Sequence, residues 1–180
     1  MVVVAAVEEF ASFDISRDRD QFLRELIREL SGTLEDIVGV DDAAGFISVV
    51  GARLGEVMNA EYRALAGVNS LSLEQIAATL VDLKQRIEGD FKIESISADR
   101  IVLVNSRCPF GEYVKGRTSL CMMTSNVFGR IAAENTGYAE VAIPEAIASG
   151  SNCCRVIISF TPTADNAKSE GAREYFASER

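Results

Sequence analysis

A chain of 180 residues with 48% hydrophobic content can bury one good core and is close to the usual size of a single domain. Its formal net charge of -9 and pI near 4.6 exclude counterion release from a polyanion as a driving force, so neither nucleic acid nor an anionic membrane is an expected partner. There is no histidine, which rules out every mechanism that needs an imidazole, from Ser-His-Asp and Cys-His nucleophiles to histidine-built metal sites.

After an unassigned start, Phe22, Leu23, Leu26, Ile27, Leu30, Leu34 and Ile37 recur at helical spacing and predict an amphipathic helix over residues 17–38, with Gly39 as its stop. A second helix follows the Asp41-Asp42 cap and carries Phe46, Val49, Val50, Leu54, Val57 and Leu65. Gly45, Gly51 and Gly55 thin one of its sides so that another backbone can approach. A third is capped by Ser72 with Gln75 in the capping-box position, aligns Ile76, Leu80, Leu83 and Ile87, and ends at Gly89. From Phe91 the period changes from 3.6 to 2, predicting a hairpin of residues 91–94 and 101–104 around the turn at 97–100. A loop over 111–116 leads to a helix capped by Thr118 or Ser119, with Leu120, Met123, Val127 and Ile131 on one face. A second hairpin spans about 139–145 and 153–161, turning at Ser149 to Asn152. The last stretch is polar except for Tyr175 and Phe176 and is expected to be a mobile tail. No segment reaches the roughly 20 apolar residues of a spanning helix, and residues 1–7 lack a basic leader, so the expected location is the cytoplasm.

All four cysteines lie in the last half: Cys108-Pro109-Phe110-Gly111, then Cys121 at a helix start, then Cys153-Cys154 entering a strand. The order of helices, hairpin, helix and hairpin, with a Gly-x-x-x-Cys step at Gly150 to Cys154, resembles the 4-vinyl-reductase-like domains. These serve as small-molecule sensors in phenol-responsive regulators and share their fold with vesicle-tethering TRAPP subunits. Gly51 to Gly55, continuing to Tyr62, resembles that family's glycine-bearing helix. Cys108-Pro109-Phe110-Gly111 with Ser119-Leu120-Cys121 resembles more specifically the methanogen output domains, a branch associated with signal transduction. The resemblance covers about residues 41–160. Relatives with a zinc site carry a further cysteine where this chain has Ala146, so Cys108 and Cys121 would have to replace it.

Strand parity places Cys154 with Val156, Ile158 and Phe160, and Cys153 on the opposite face with Arg155 and Ser159. Three thiols, Cys108, Cys121 and Cys154, are therefore expected to converge. They could hold zinc completed by Glu145 or water, or an iron-sulfur cluster with one open iron, or be small buried hydrophobes. Cys121 in a first helical turn has a second reading as a dipole-stabilised thiolate nucleophile, with Glu112 and Glu134 as available proton acceptors. Met122, Met123, Val127 and Phe128 either line a ligand pocket between helix and sheet or belong to the core.

The expected fold is α+β: helices packed on an antiparallel four-stranded ββαββ module. Residues 1–40 form an extension that could dimerise, 41–161 the sensor-like domain and 162–180 the tail. The expected function is a stand-alone, non-enzymatic cytosolic sensor that binds a small molecule or metal and signals to a partner protein, as a homodimer. The alternatives are a thiol- or metal-dependent reductase or hydrolase, and a structural interaction module.

Overall fold

The computed structural model describes residues 2–15, 17–162 and 171–178. A short helix, α1 (Val2–Ala11), occupies the start that the apolar spacing left unassigned. α2 (Arg19–Val38) begins where Asp18 accepts the Gln21 N–H at 2.8 Å, and it stops at Gly39, whose φ of 86° a side chain would resist. α3 (Val40–Ala66) starts directly after that glycine, so Asp41 and Asp42 lie in its first turn instead of capping it. α4 (Leu73–Arg86) shows the expected capping box: Ser72 Oγ accepts the Gln75 N–H while Gln75 accepts the Ser72 N–H.

Two hairpins build the sheet, β1 (Lys92–Ile96) with β2 (Arg100–Asn105), and β3 (Tyr138–Glu145) with β4 (Cys154–Ser159). They join through β2 and β4, with Leu103 opposite Val156 and Asn105 opposite Cys154. β5 (Arg173–Phe176) pairs with β3, giving five antiparallel strands in the order β1-β2-β4-β3-β5 where four were expected. Part of the supposed tail is thus structural. Tyr175 is buried, its ring lies where a Cβ on Gly129 would be, and its hydroxyl is 2.7 Å from Ser125 Oγ. The remainder of that tail, 163–170 and 179–180, lies outside the described residues.

α5 (Cys121–Thr136) crosses the sheet's inner face. Its residues Phe128, Ile131 and Ala132 meet Ile101 and Leu103 of β2, Val156 and Ile158 of β4, and Val141 of β3, all buried. α3 lies along α5 because Gly51 and Gly55 admit it. A Cβ on Gly51 would stand 2.8 Å from that of Asn126, and one on Gly55 3.0 Å from that of Arg130. Gly45 meets nothing, so it contributes no close approach. The outer faces of α2 and α3 leave Phe22, Leu26, Leu30, Phe46, Val50 and Val57 exposed. Among the described residues no helix is long and apolar enough to cross a membrane.

Candidate functional site: a thiol-walled chamber beside a buried lysine

The inward row of β2 runs Ile101, Leu103, Asn105, and that of β4 runs Ile158, Val156, Cys154. The sheet therefore stays apolar to its last rung and turns polar there. At that rung Asn105 Oδ1 accepts the Cys154 N–H at 3.1 Å, and Asn105 Nδ2 donates to the Arg107 carbonyl at 2.7 Å. The chain then arches over the end of the sheet as Cys108, Pro109 and Phe110, continues through short 3-10 turns at Gly111–Val114 and Thr118–Leu120, and enters α5 at Cys121. A cavity of about 30 Å³ remains beneath this roof. Cys108, Cys121 and Cys154 all line it, together with Thr124, Phe91 and Leu120.

Cys153 is turned to the other side, where its thiol donates to Glu145 at 2.9 Å. Parity along β4 separates the two adjacent cysteines as expected. Glu145 also accepts from Arg155 at 3.3 Å and does not line the cavity. Among the described residues no three of cysteine, aspartate and glutamate stand where they could hold one metal ion. A buried ammonium facing the same thiols would also repel a metal cation. The expected zinc or iron-sulfur site is therefore not supported among the described residues.

That ammonium belongs to Lys84, in the last turn of α4, 4% exposed. It donates to Thr124 Oγ1 at 2.8 Å and lies 5.7 Å and 5.2 Å from the ring centres of Phe91 and Phe128. No carboxylate pairs with it among the described residues. Burial pulls its pKa down to about 8, opposed by the thiols of Cys108, Cys154 and Cys121. Burial in turn pushes the Cys108 and Cys154 thiols up, and Cys121 up to about 12. Desolvation outweighs the helix dipole at Cys121, so the nucleophilic thiolate expected there is disfavoured. α5 also begins without the side-chain cap expected from Thr118 or Ser119, because Ser119 Oγ donates to Glu35 of α2.

The four residues expected to line a ligand pocket are dispersed. Val127 and Phe128 are buried in the core, Met123 borders a groove between α2 and α3, and Met122 borders a depression near Ser48 and Tyr175. None of them lines the thiol cavity. The apolar periodicity selected the core face of α5, while the cavity takes the adjacent face through Leu120, Cys121 and Thr124. Lys84 was missed although its position signals it. It falls eight residues after Ile76 and four after Leu80, inside the apolar stripe of α4, where Ile87 had been placed and is instead half exposed.

α2 straps the roof. Arg28 Nη1 donates to the carbonyls of Tyr113 and Lys115 at 2.6 and 2.9 Å, and Arg117 pairs with Glu35 at 3.3 Å. Leu120 is a wall shared by two spaces, the thiol cavity and the α2–α3 groove, which Ile27, Leu30, Phe46 and Val50 also line.

The family model described as methanogen output domain 1 matches residues 26–159. The match includes most of α2, in keeping with its strapping of the roof. No curated protein matches the chain. Among solved structures, the trafficking protein particle complex subunit 3 from Naegleria fowleri, described as covalently bound to palmitic acid, is similar in fold. The TM-score is 0.53 at 12% identity, over 77% of this chain and 95% of that one.

Proposed function

The chain belongs to the methanogen output domain 1 family, and we propose that it works as a sensory domain in signal transduction. In this reading a small molecule occupies the chamber under the 108–120 roof, and a partner protein reads the occupancy from the α2–α3 face. The observation that carries it is Leu120, one side chain walling both the receiving cavity and the outward groove. Burying or exposing a leucine is worth about 1.5–3 kcal/mol, and a tenfold switch needs about 1.4 kcal/mol of differential binding. Leu120 is buried, so a displacement that uncovers about half of it towards the open groove is large enough to transmit the signal. The Arg28 and Glu35 contacts would carry the same displacement from the roof into α2.

A homodimer through the exposed α2–α3 face is the partner arrangement this surface favours, since apolar side chains there are uncovered in a single chain. Four free thiols suit a reducing compartment such as the cytoplasm. The palmitic acid named for the trafficking subunit is a property of that protein. Here a cavity of about 30 Å³ with its thiols pushed up favours a smaller, non-covalent occupant.

Hydrogen exchange tests the reading. A compound that binds, identified by thermal shift from small apolar acids, amides and alcohols, should slow exchange in residues 107–121 and in α2 together. A confirmed ligand that leaves both unchanged would remove the proposed coupling.

A further inference from the structure

Resting on the chamber reading above, we propose that the chamber's ligand is a short aliphatic carboxylate, recognised through the Lys84–Thr124 pair. Lys84 is a cation sealed from water, and one of its three N–H donors reaches Thr124 Oγ1. The hydroxyl of Thr124, fixed as acceptor from Lys84, keeps its own O–H to donate, and Thr124 is part of the cavity wall. An anionic oxygen placed there would accept from Thr124 and lie within the field of the ammonium behind it.

Among the described residues no anion fills this role. The titratable groups facing Lys84 are the thiols of Cys108 on the roof, Cys121 on α5 and Cys154 on β4, all held towards their neutral form by burial. The neighbouring carboxylate, Asp90, is already engaged by the Ser106 and Arg107 N–H groups and the Ser106 hydroxyl. A buried cation without a counter-ion is costly, and a ligand carboxylate relieves that cost while a neutral ligand does not. The other polar side chain at the wall, Asn105, is held in place by one bond from each of its amide groups, to the Arg107 carbonyl and from the Cys154 N–H. The rest of the lining, including Phe91, Phe110, Val114 and Leu120, is apolar and suits an alkyl tail. A cavity of about 30 Å³ has room for only one or two water-sized groups, so the alkyl tail enters as the Pro109–Phe110 roof lifts over it.

Calorimetry with acetate, propionate, butyrate and octanoate, against propionamide and butyramide, tests the assignment on the full chain. Affinity is expected to rise from acetate to butyrate, to fall for octanoate, and to be at least tenfold weaker for each amide than for its acid. Lys84→Met should abolish the preference for acid over amide, and Thr124→Val should weaken butyrate at least threefold while leaving the amides little changed. Amides binding as tightly as acids, with exchange slowed in the roof, would overturn the carboxylate assignment and leave the sensory chamber standing. Acids binding equally to Lys84→Met would place them elsewhere and overturn it too. No binding by any of these probes overturns the carboxylate assignment, whereas the sensory reading falls only if a ligand that does bind leaves the roof and α2 unmoved.

Discussion

Replacing Lys84 by methionine should stabilise the ligand-free protein at neutral pH, although it deletes a hydrogen bond. The native pKa is lowered from 10.5 to about 8, which corresponds to about 3 kcal/mol of penalty on the charged form at about 1.4 kcal/mol per unit. Methionine has nearly the same length and no charge. Losing the bond to Thr124 returns about 1 kcal/mol, leaving a net gain of about 2 kcal/mol. For a chain of this size that is a rise of roughly 4–8 °C in Tm. The pH dependence follows from the sign of the shift. Below pH 8 the native state carries the full penalty; between pH 8 and 10.5 it releases a proton that the unfolded state keeps, so wild-type stability rises with pH relative to the variant. The advantage of Lys84→Met should therefore be full at pH 7 and gone near pH 9.5. The three thiols facing Lys84 lose its field in the variant, so their titration is followed in both proteins and separated from the Lys84 difference. Urea denaturation of both proteins across pH 6–10 is the assay. A variant less stable than wild type at every pH, with a difference that does not change with pH, would refute the buried-cation reasoning.

Alkylation with iodoacetamide at pH 8, followed by peptide mass spectrometry, should label Cys121 last, because burial pushes its thiol up to about 12. Tyr175→Phe should cost about 1–3 kcal/mol by leaving the buried Ser125 hydroxyl unpaired, measurable in the same denaturation assay. Gly129→Ala should cost more and expose the β5 backbone amides to exchange, because its Cβ would occupy the place of the Tyr175 ring. If the α2–α3 face is a dimer interface, Leu30→Asp should convert a dimer to a monomer by light scattering, and a wild-type monomer at high concentration would remove that proposal.

The helices after α1 and both hairpins were legible because their signals are local: apolar spacing in α2, Gly39 as a stop, Ser72 as a cap, and alternation in β2 and β4 that placed Cys154 inward and Cys153 outward. β5 was not legible, since a four-residue strand has little periodicity of its own and depends on space that Gly129 leaves on a distant helix. At the site, clustering and parity brought Cys108, Cys121 and Cys154 to one cavity, but not the lysine behind them. A metal site requires three-dimensional convergence that spacing does not encode, whereas burial of Lys84 changes the electrostatics of all three thiols at once. A lysine within an apolar stripe was the available signal. Pocket residues on α5 were misplaced because apolar periodicity marks the face that packs, and the chamber occupies the face beside it.

One side-chain NMR titration with butyrate, following Lys84 Nζ and the methyl groups of Leu120 and Leu30 in the same sample, tests the central claim most directly. The account predicts a Lys84 pKa near 8 without ligand that climbs towards 10.5 as butyrate saturates, with Leu120 and then Leu30 shifting at the same concentration. An ordinary Lys84 pKa in the free protein, or a Leu120 that shifts while Leu30 across the groove stays still, would contradict it.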